Sequence, residues 1–294
     1  MVFYKIIFFI GFACPALLAQ GQSPVTKTET SKELKLPSYR KLLNVSYSKD
    51  DAENIMDAYI PANYDSCKVI VYLHGSGWTG GDKDELPQMM IEELVGKRKY
   101  ILVSANYRLI KDGKNRFPSQ MEDVRKLFSF LTRNAEKYNY SGKEYALIGG
   151  SAGAYLAMLY AYGYDSLKQV KTVVDFWGPT DLADKAVLTE NKDAEAKVAN
   201  LLGTSDPDAQ IRREASPYYR ISRESGVPTI LFHGGKDPLV HISQADKMYK
   251  KLQELNIPSQ YEYYPNEQHG MRGAAGVEVF MKTLSWLNKY FPAK

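Results

Sequence analysis

Short, almost wholly apolar runs alternate with amphipathic stretches along most of this chain. Lys68 to His74 is nearly continuous in β-branched and other apolar residues, as expected of a strand buried on both faces. Tyr100 to Asn106, Ala146 to Ile148, Thr172 to Trp177 and Pro228 to His233 read as further strands. Two antiparallel strands, Leu42 to Tyr47 and Asp57 to Ile60, precede them, and Gln260 to Tyr264 comes last. Helical residues occur around Glu85 to Val95, Ser119 to Asn139, Ala154 to Leu159 and Gln244 to Leu255. The chain closes with Val277 to Tyr290, where Leu284, Trp286 and Leu287 face the core. Strands alternating with helices predict a mostly parallel eight-stranded sheet with helices on both faces, an α/β fold. Asp181 to Glu224 breaks the rhythm. It is mixed and polar, with a helical stretch near Ala194 to Leu202 and the pair Tyr218 and Tyr219, and reads as a small cap excursion over the sheet.

The first residues follow a different pattern. Lys5 precedes the apolar run Ile6 to Phe12, and Ala16-Leu17-Leu18-Ala19 then meets the polar Gln20-Gly21-Gln22-Ser23. This predicts a signal peptide over 1–19, a flexible leader over 20–36 and a catalytic domain over 37–294, with the mature protein periplasmic or extracellular. The apolar span is short for crossing a bilayer, so no stable membrane insertion is expected after cleavage. Lipidation at Cys14 is the rival reading. Gly11-Phe12-Ala13 lacks the branched aliphatic residue that such a signal carries three positions upstream. Of the chain's 2 cysteines only Cys67 would survive cleavage, so no internal disulfide is expected.

Composition narrows the class. The 294 residues are 44% hydrophobic and 24% charged, suited to one large α/β domain. A net charge of +4 without basic runs or aromatic–basic interleaving argues against nucleic-acid binding. No phosphate-cradling G-x-x-x-x-G-K-[ST] occurs, nor H-E-x-x-H or C-x-x-C, so neither a metal nor a cofactor is expected.

The chemistry concentrates at Gly149-Gly150-Ser151-Ala152-Gly153, where an apolar strand gives way to helix formers. G-x-S-x-G at such a junction is a nucleophile elbow: the glycines let strand and helix pack closely, and the serine is pushed outward. The amide of Ala152 opens the helix, where partial positive charge can meet a developing oxyanion. His74-Gly75-Ser76-Gly77-Trp78, leaving an earlier strand, can turn the amides of Ser76 and Gly77 toward the same point and complete an oxyanion hole. Downstream come Asp237, just past a strand end, and His269, on a loop after the last strand. A serine hydroxyl needs a base within reach, and an acid can fix that base's tautomer. Among the 4 histidines, His74 belongs to the glycine loop, His233 ends a strand and reads as buried, and His241 begins a helix at the surface. His269 is therefore the candidate base. Asp181 competes with Asp237, because it too follows a strand end. Glu267 is too near His269 in sequence to orient it, and Asp175 and Asp123 read as structural hydrogen-bonders.

H-G-S-G-W-T-G-G-D-K, Ala105-Asn106-Tyr107-Arg108-Leu109, I-G-G-S-A-G, H-G-G-K-D-P-L-V and the His269 loop, in this order, resemble the α/β-hydrolase superfamily. Within it the chain is similar to the esterase/lipase branch with an H-G-G-G-W loop, which includes secreted bacterial feruloyl- and acetyl-esterase-like enzymes. The resemblance runs from about Tyr39 to Tyr290. It implies a Ser151–Asp237–His269 triad, an oxyanion hole of Ser76, Gly77 and Ala152, and a small ester or acylated carbohydrate as substrate. Ser76 departs from the pattern, standing where the family has its middle glycine. Two other readings stay open: a serine peptidase of the prolyl-oligopeptidase type, and an inactive binding protein on the same fold. The first usually carries a propeller domain, and no blade repeats precede the hydrolase region. The second would be signalled by a missing triad member, and none is missing.

Overall fold

The computed structural model describes residues 38–62 and 65–293. The signal peptide and leader predicted from the sequence lie outside these residues. The sheet comprises β1 (Tyr39–Ser46), β2 (Ile55–Pro61), β3 (Cys67–Leu73), β4 (Ile101–Ala105), β5 (Tyr140–Gly150), β6 (Val170–Phe176), β7 (Thr229–Gly234) and β8 (Ser259–Tyr264). Its 8 strands lie in the order β1-β2-β4-β3-β5-β6-β7-β8. β1 and β2 pair antiparallel, as do β2 and β4, and the remaining pairs are parallel.

Alternation along each central strand splits the core into two layers. Val69, Val71, Leu73, Leu147 and Val173 point to one side, with α2 (Ser119–Asn134) and α3 (Ala152–Gly163). Ile70, Tyr72, Ala146, Ile148, Val174, Ile230 and Phe232 point to the other. That second layer is covered by α9 (Gly273–Tyr290) and by a helical segment made of α1 (Gln88–Met90) and a π-helical turn, Ile91–Lys97. α3 is buried from Ala152 to Tyr162, which accounts for its being apolar all round. Between β6 and β7 the chain makes its predicted excursion as α4 (Lys185–Glu190), α5 (Lys192–Leu202), α6 (Gln210–Glu214) and α7 (Pro217–Arg220). α8 (Ser243–Glu254) joins β7 to β8.

Some boundaries differ from the sequence expectation. The helix expected over Ser119 to Asn139 ends at Asn134, and β5 reaches back to Tyr140 through polar residues, with Cys67 of β3 opposite Tyr140. The segment expected over Glu85 to Val95 is broken at Pro87, with a 3-10 turn Lys83–Glu85 before it. α9 begins at Gly273 rather than Val277, because two small residues, Ala274 and Ala275, carry no apolar periodicity to mark its first turn. Among the described residues no helix is long and apolar enough to cross a membrane.

Candidate active site

β5 stops at Gly150 and α3 starts at Ala152, leaving Ser151 alone in the turn with φ +52° and ψ −117°. This left-handed backbone is strained for a residue with a side chain. It is held by its neighbours: Ser151 N donates to Phe176 O at 2.8 Å, and Ser151 O accepts from Tyr155 N at 3.0 Å. The flanking glycines are sterically required. A Cβ on Gly149 would stand 2.3 Å from the carbonyl carbon of Gly153, and one on Gly153 would stand 2.0 Å from Leu73 O.

The acid and the histidine are brought to the serine by two loops laced together. Gly235 N donates to Tyr264 O at 2.8 Å, and Lys236 N donates to Glu267 O at 2.9 Å. Gly234 must be bare, since its Cβ would meet Gln268 O and Glu267 O at 2.5 Å. Asp237 Oδ1 accepts from the amides of Leu239 at 2.8 Å and Val240 at 2.9 Å, which aims Oδ2 at His269 Nδ1, 2.8 Å away. His269 Nε2 lies 2.9 Å from Ser151 Oγ. With Nδ1–H donated to the carboxylate, Nε2 is the acceptor for the serine proton. Burial by itself would raise Asp237. The hydrogen bond and charge of His269, with the amides of Val240 and Leu239, outweigh it and hold the carboxyl below the usual range. His233 supports the same acid: its Nε2 donates to Val240 O at 2.8 Å and sits 3.5 Å from Asp237 Oδ2. Trp177 stands edge-on to the His269 ring at 6.2 Å.

The loop after β3 packs against the elbow. A Cβ on Gly75 would lie 2.9 Å from Gly150 O. Ser76, Gly77 and Trp78 follow with φ of +76°, +62° and +62°. Among the described residues, the amides of Ser76, Gly77 and Ala152 have no protein acceptor. The Ala105 to Leu109 motif braces this loop. Tyr107 Oη donates to His74 O at 2.8 Å and its ring stacks on His74 at 4.4 Å. Asn106 Oδ1 accepts from Lys83 N at 2.5 Å, its Nδ2 donates to Asp82 Oδ2 at 2.9 Å, and Ile110 N donates to Trp78 O at 2.8 Å. Arg108 Nε is held by both oxygens of buried Asp123, at 3.0 and 2.8 Å.

The remaining candidates are placed elsewhere. Asp181 is not near the histidine; its Oδ2 pairs with Lys247 Nζ at 2.5 Å and its Oδ1 accepts from Ala183 N. Burial pushes His74 and His233 down, while His241 is exposed and bonded to Ser243. Asp175 is fully buried, and that burial pushes its carboxyl up to about 8 despite a hydrogen bond from Gly178 N at 2.7 Å. No group of three or more His, Cys, Asp or Glu among the described residues is placed to hold a metal ion.

Ser151 and His269 open onto a cavity of about 430 Å³, also lined by Ser76, Gly77, Trp78, Ala152, Pro179, Leu239 and Val240. Its outer wall is one face of α5, with Ala194, Lys197 and Val198 at helical spacing. Sequence reasoning singled out neither Trp177 nor Lys197. A tryptophan directly after a strand end was a signal for the first; the second depends on how the cap folds back.

Strand order and the serine-bearing turn between β5 and α3 define the α/β-hydrolase fold. The chain belongs to the BD-FAE family, an esterase family of this fold, whose match covers residues 56–252. Esterase LipQ of Mycobacterium tuberculosis is 23% identical over 252 residues, 81% of this chain and 59% of LipQ. Endo-1,4-beta-xylanase B of Butyrivibrio fibrisolvens is 25% identical over 158 residues, 51% of this chain and 24% of that protein. The chain therefore spans less than two thirds of LipQ and about a quarter of the xylanase. Among solved structures, a truncated carbohydrate esterase from gut microbiota superposes with a TM-score of 0.73 at 20% identity, over 86% of this chain and 97% of that one. That likeness carries the fold.

Proposed function

We propose that this chain is a serine carboxylic-ester hydrolase that works through an acyl-enzyme, with Ser151 as nucleophile, His269 as base and Asp237 as its orienting acid. The observation that carries the reading is the relay from Asp237 Oδ2 to His269 at 2.8 Å and from His269 to Ser151 Oγ at 2.9 Å, facing the cavity. In the first step Ser151 Oγ attacks the ester carbonyl carbon while its proton passes to His269 Nε2. The carbonyl electron pair moves onto oxygen, which the free amides of Ser76, Gly77 and Ala152 receive. Collapse expels the alcohol, protonated by His269. Water, deprotonated by His269, then attacks the acyl-serine and releases the acid. Asp237 stays ionised throughout and stabilises each imidazolium.

The proposed substrates are small acyl or hydroxycinnamoyl esters on polysaccharides. Support comes from a cavity walled by Trp78, Val198, Leu239 and Val240, suited to a short acyl chain or one ring. A relative named as a xylanase and a structural neighbour named as a carbohydrate esterase point the same way. Export is part of the proposal, resting on the apolar run Ile6 to Phe12 and on Ala16 to Ala19. The test is turnover of p-nitrophenyl acetate and butyrate, methyl ferulate, acetylated xylan and a prolyl p-nitroanilide, by the protein and by Ser151→Ala. Ester hydrolysis lost in the variant supports the reading. Turnover of the anilide alone would replace it with a peptidase, and no turnover by folded protein would replace it with a binding role.

A further inference from the structure

The cavity is mostly apolar, yet one fixed charge stands on its wall. Lys197 lines it from α5 beside Ala194 and Val198, opposite Ser151 and the loop Ser76 to Trp78. Its stem lies over the oxyanion-loop peptide: the point where a Cβ on Gly77 would sit is 3.4 Å from Lys197 Cε and 3.5 Å from Cδ. The bareness of Gly77 makes room for that stem, and the side chain is exposed where it borders the cavity.

A lysine on a helix ordinarily finds a carboxylate one turn away. α5 offers one at that spacing, Asp193, and it is not paired with Lys197; Glu195 is two residues away, on a different face of the helix. Glu195 is taken by Arg212, whose guanidinium is fully buried and grips both carboxylate oxygens. Arg212 is itself fixed by the carbonyls of Asp206 at 2.7 Å and Leu182 at 3.2 Å, so Glu195 cannot swing free. Asp193 lines a separate depression with Pro238 and His241. Among the described residues Lys197 has no ion-pair or hydrogen-bond partner. The nearest acid of the relay, Asp237, is committed to His269 and to two amides. An unpartnered cation bordering a largely apolar cavity favours an anionic group on whatever enters.

We propose that Lys197 is a specificity-determining residue that selects esters bearing a carboxylate within one lysine side chain's reach of the scissile carbonyl. The inference rests on the esterase reading and names a substrate class for that site: acyl groups ending in a carboxylate, or alcohols carrying one, such as a uronate-type sugar. The ammonium pairs with the carboxylate while the ester carbonyl sits on the amides of Ser76, Gly77 and Ala152. Lys197 does not touch the reacting atoms.

The test compares kcat/KM for two matched pairs of esters, in the full chain and its variants. Mono-p-nitrophenyl succinate against p-nitrophenyl butyrate places the carboxylate on the acyl side. 4-Acetoxybenzoate against its methyl ester places it on the alcohol side. Lys197→Met should lower the anionic-to-neutral ratio about fivefold for one pair, the upper end of what an exposed ion pair contributes. Lys197→Glu should lower it further, Lys197→Arg should restore it, and added salt should erode it in the parent protein. Lys250→Met, which removes an equal charge from an exposed position on α8, should leave it in place. An unchanged ratio for both pairs in Lys197→Met would overturn the proposal. So would an equal loss on anionic and neutral esters, which would make Lys197 a general support of the site. Failure of the parent protein to hydrolyse any of the four esters sinks the esterase reading and this inference with it.

Discussion

A serine hydroxyl is a weak nucleophile near neutral pH, so in the proposed mechanism Ser151 reacts only as fast as His269 takes its proton. That places the first prediction on Asp237. Asp237→Asn keeps the shape of the acid but loses the acceptor that fixes the imidazole tautomer, and kcat for the best ester should fall roughly 10³–10⁴-fold with little change in KM. Steady-state kinetics would check this; a loss below tenfold would remove Asp237 from the relay. Ser76 gives a prediction of the opposite kind. It lines the cavity at a left-handed φ of +76°, a conformation that costs a residue with a Cβ about 1 kcal/mol. Ser76→Gly should therefore raise unfolding stability by up to about that much in urea titration and keep kcat within a few-fold. A large loss of kcat would mean that the hydroxyl, rather than the amide, serves the site. Ser151, Asp237 and His269 were legible in the sequence because strand ends of a parallel sheet all open on one edge, whatever the loops between them do. Asp181 competes with the favoured Asp237 because it too follows a strand end; Lys247 holds it, a pairing across 66 residues that no local pattern reveals.

Elements were legible where burial dictated composition. β3 is apolar from Val69 to Leu73 because both its faces are covered there, whereas the start of β5, Tyr140 to Glu144, is polar and was invisible as strand. The cap was recognisable only as an interruption, because most of its helices are short and pack partly on the main core, where Val198, Leu201 and Leu202 of α5 are buried. What holds α5 in place is the buried Arg212 with Glu195, and this can be tested. Glu195→Ala leaves a guanidinium in the interior without its counter-ion, at a cost of about 3–5 kcal/mol to the cap. The variant should be cleaved faster between Asp181 and Glu224 in limited proteolysis, and KM should rise because α5 forms the cavity wall. Unchanged proteolysis would show that the cap is held by its apolar contacts instead.

On the scale of the whole molecule, stability should depend on pH through Asp175. It sits at the end of β6 with Oδ2 unpartnered, and burial raises its carboxyl from 3.8 to about 8. Between about pH 4 and 8 the unfolded chain has lost this proton while the folded chain keeps it. Its contribution to stability therefore falls as pH rises through that window. Asp175→Asn removes the dependence, and its stability relative to the parent should improve on the order of 2 kcal/mol from pH 5 to pH 7 in denaturant titrations. A constant difference would mean that the carboxylate is ionised in the fold. From the sequence Asp175 reads only as a structural hydrogen-bonder; its shift comes from full burial, which the sequence does not show. In the proposed function, sheet, loops and cap together present one activated serine. The most direct measurement is mass spectrometry of the protein after brief exposure to a fluorophosphonate ester. One adduct, on the peptide carrying Ser151 and absent from His269→Ala, is the predicted result. No adduct on folded protein, or labelling that survives Ser151→Ala, would contradict it.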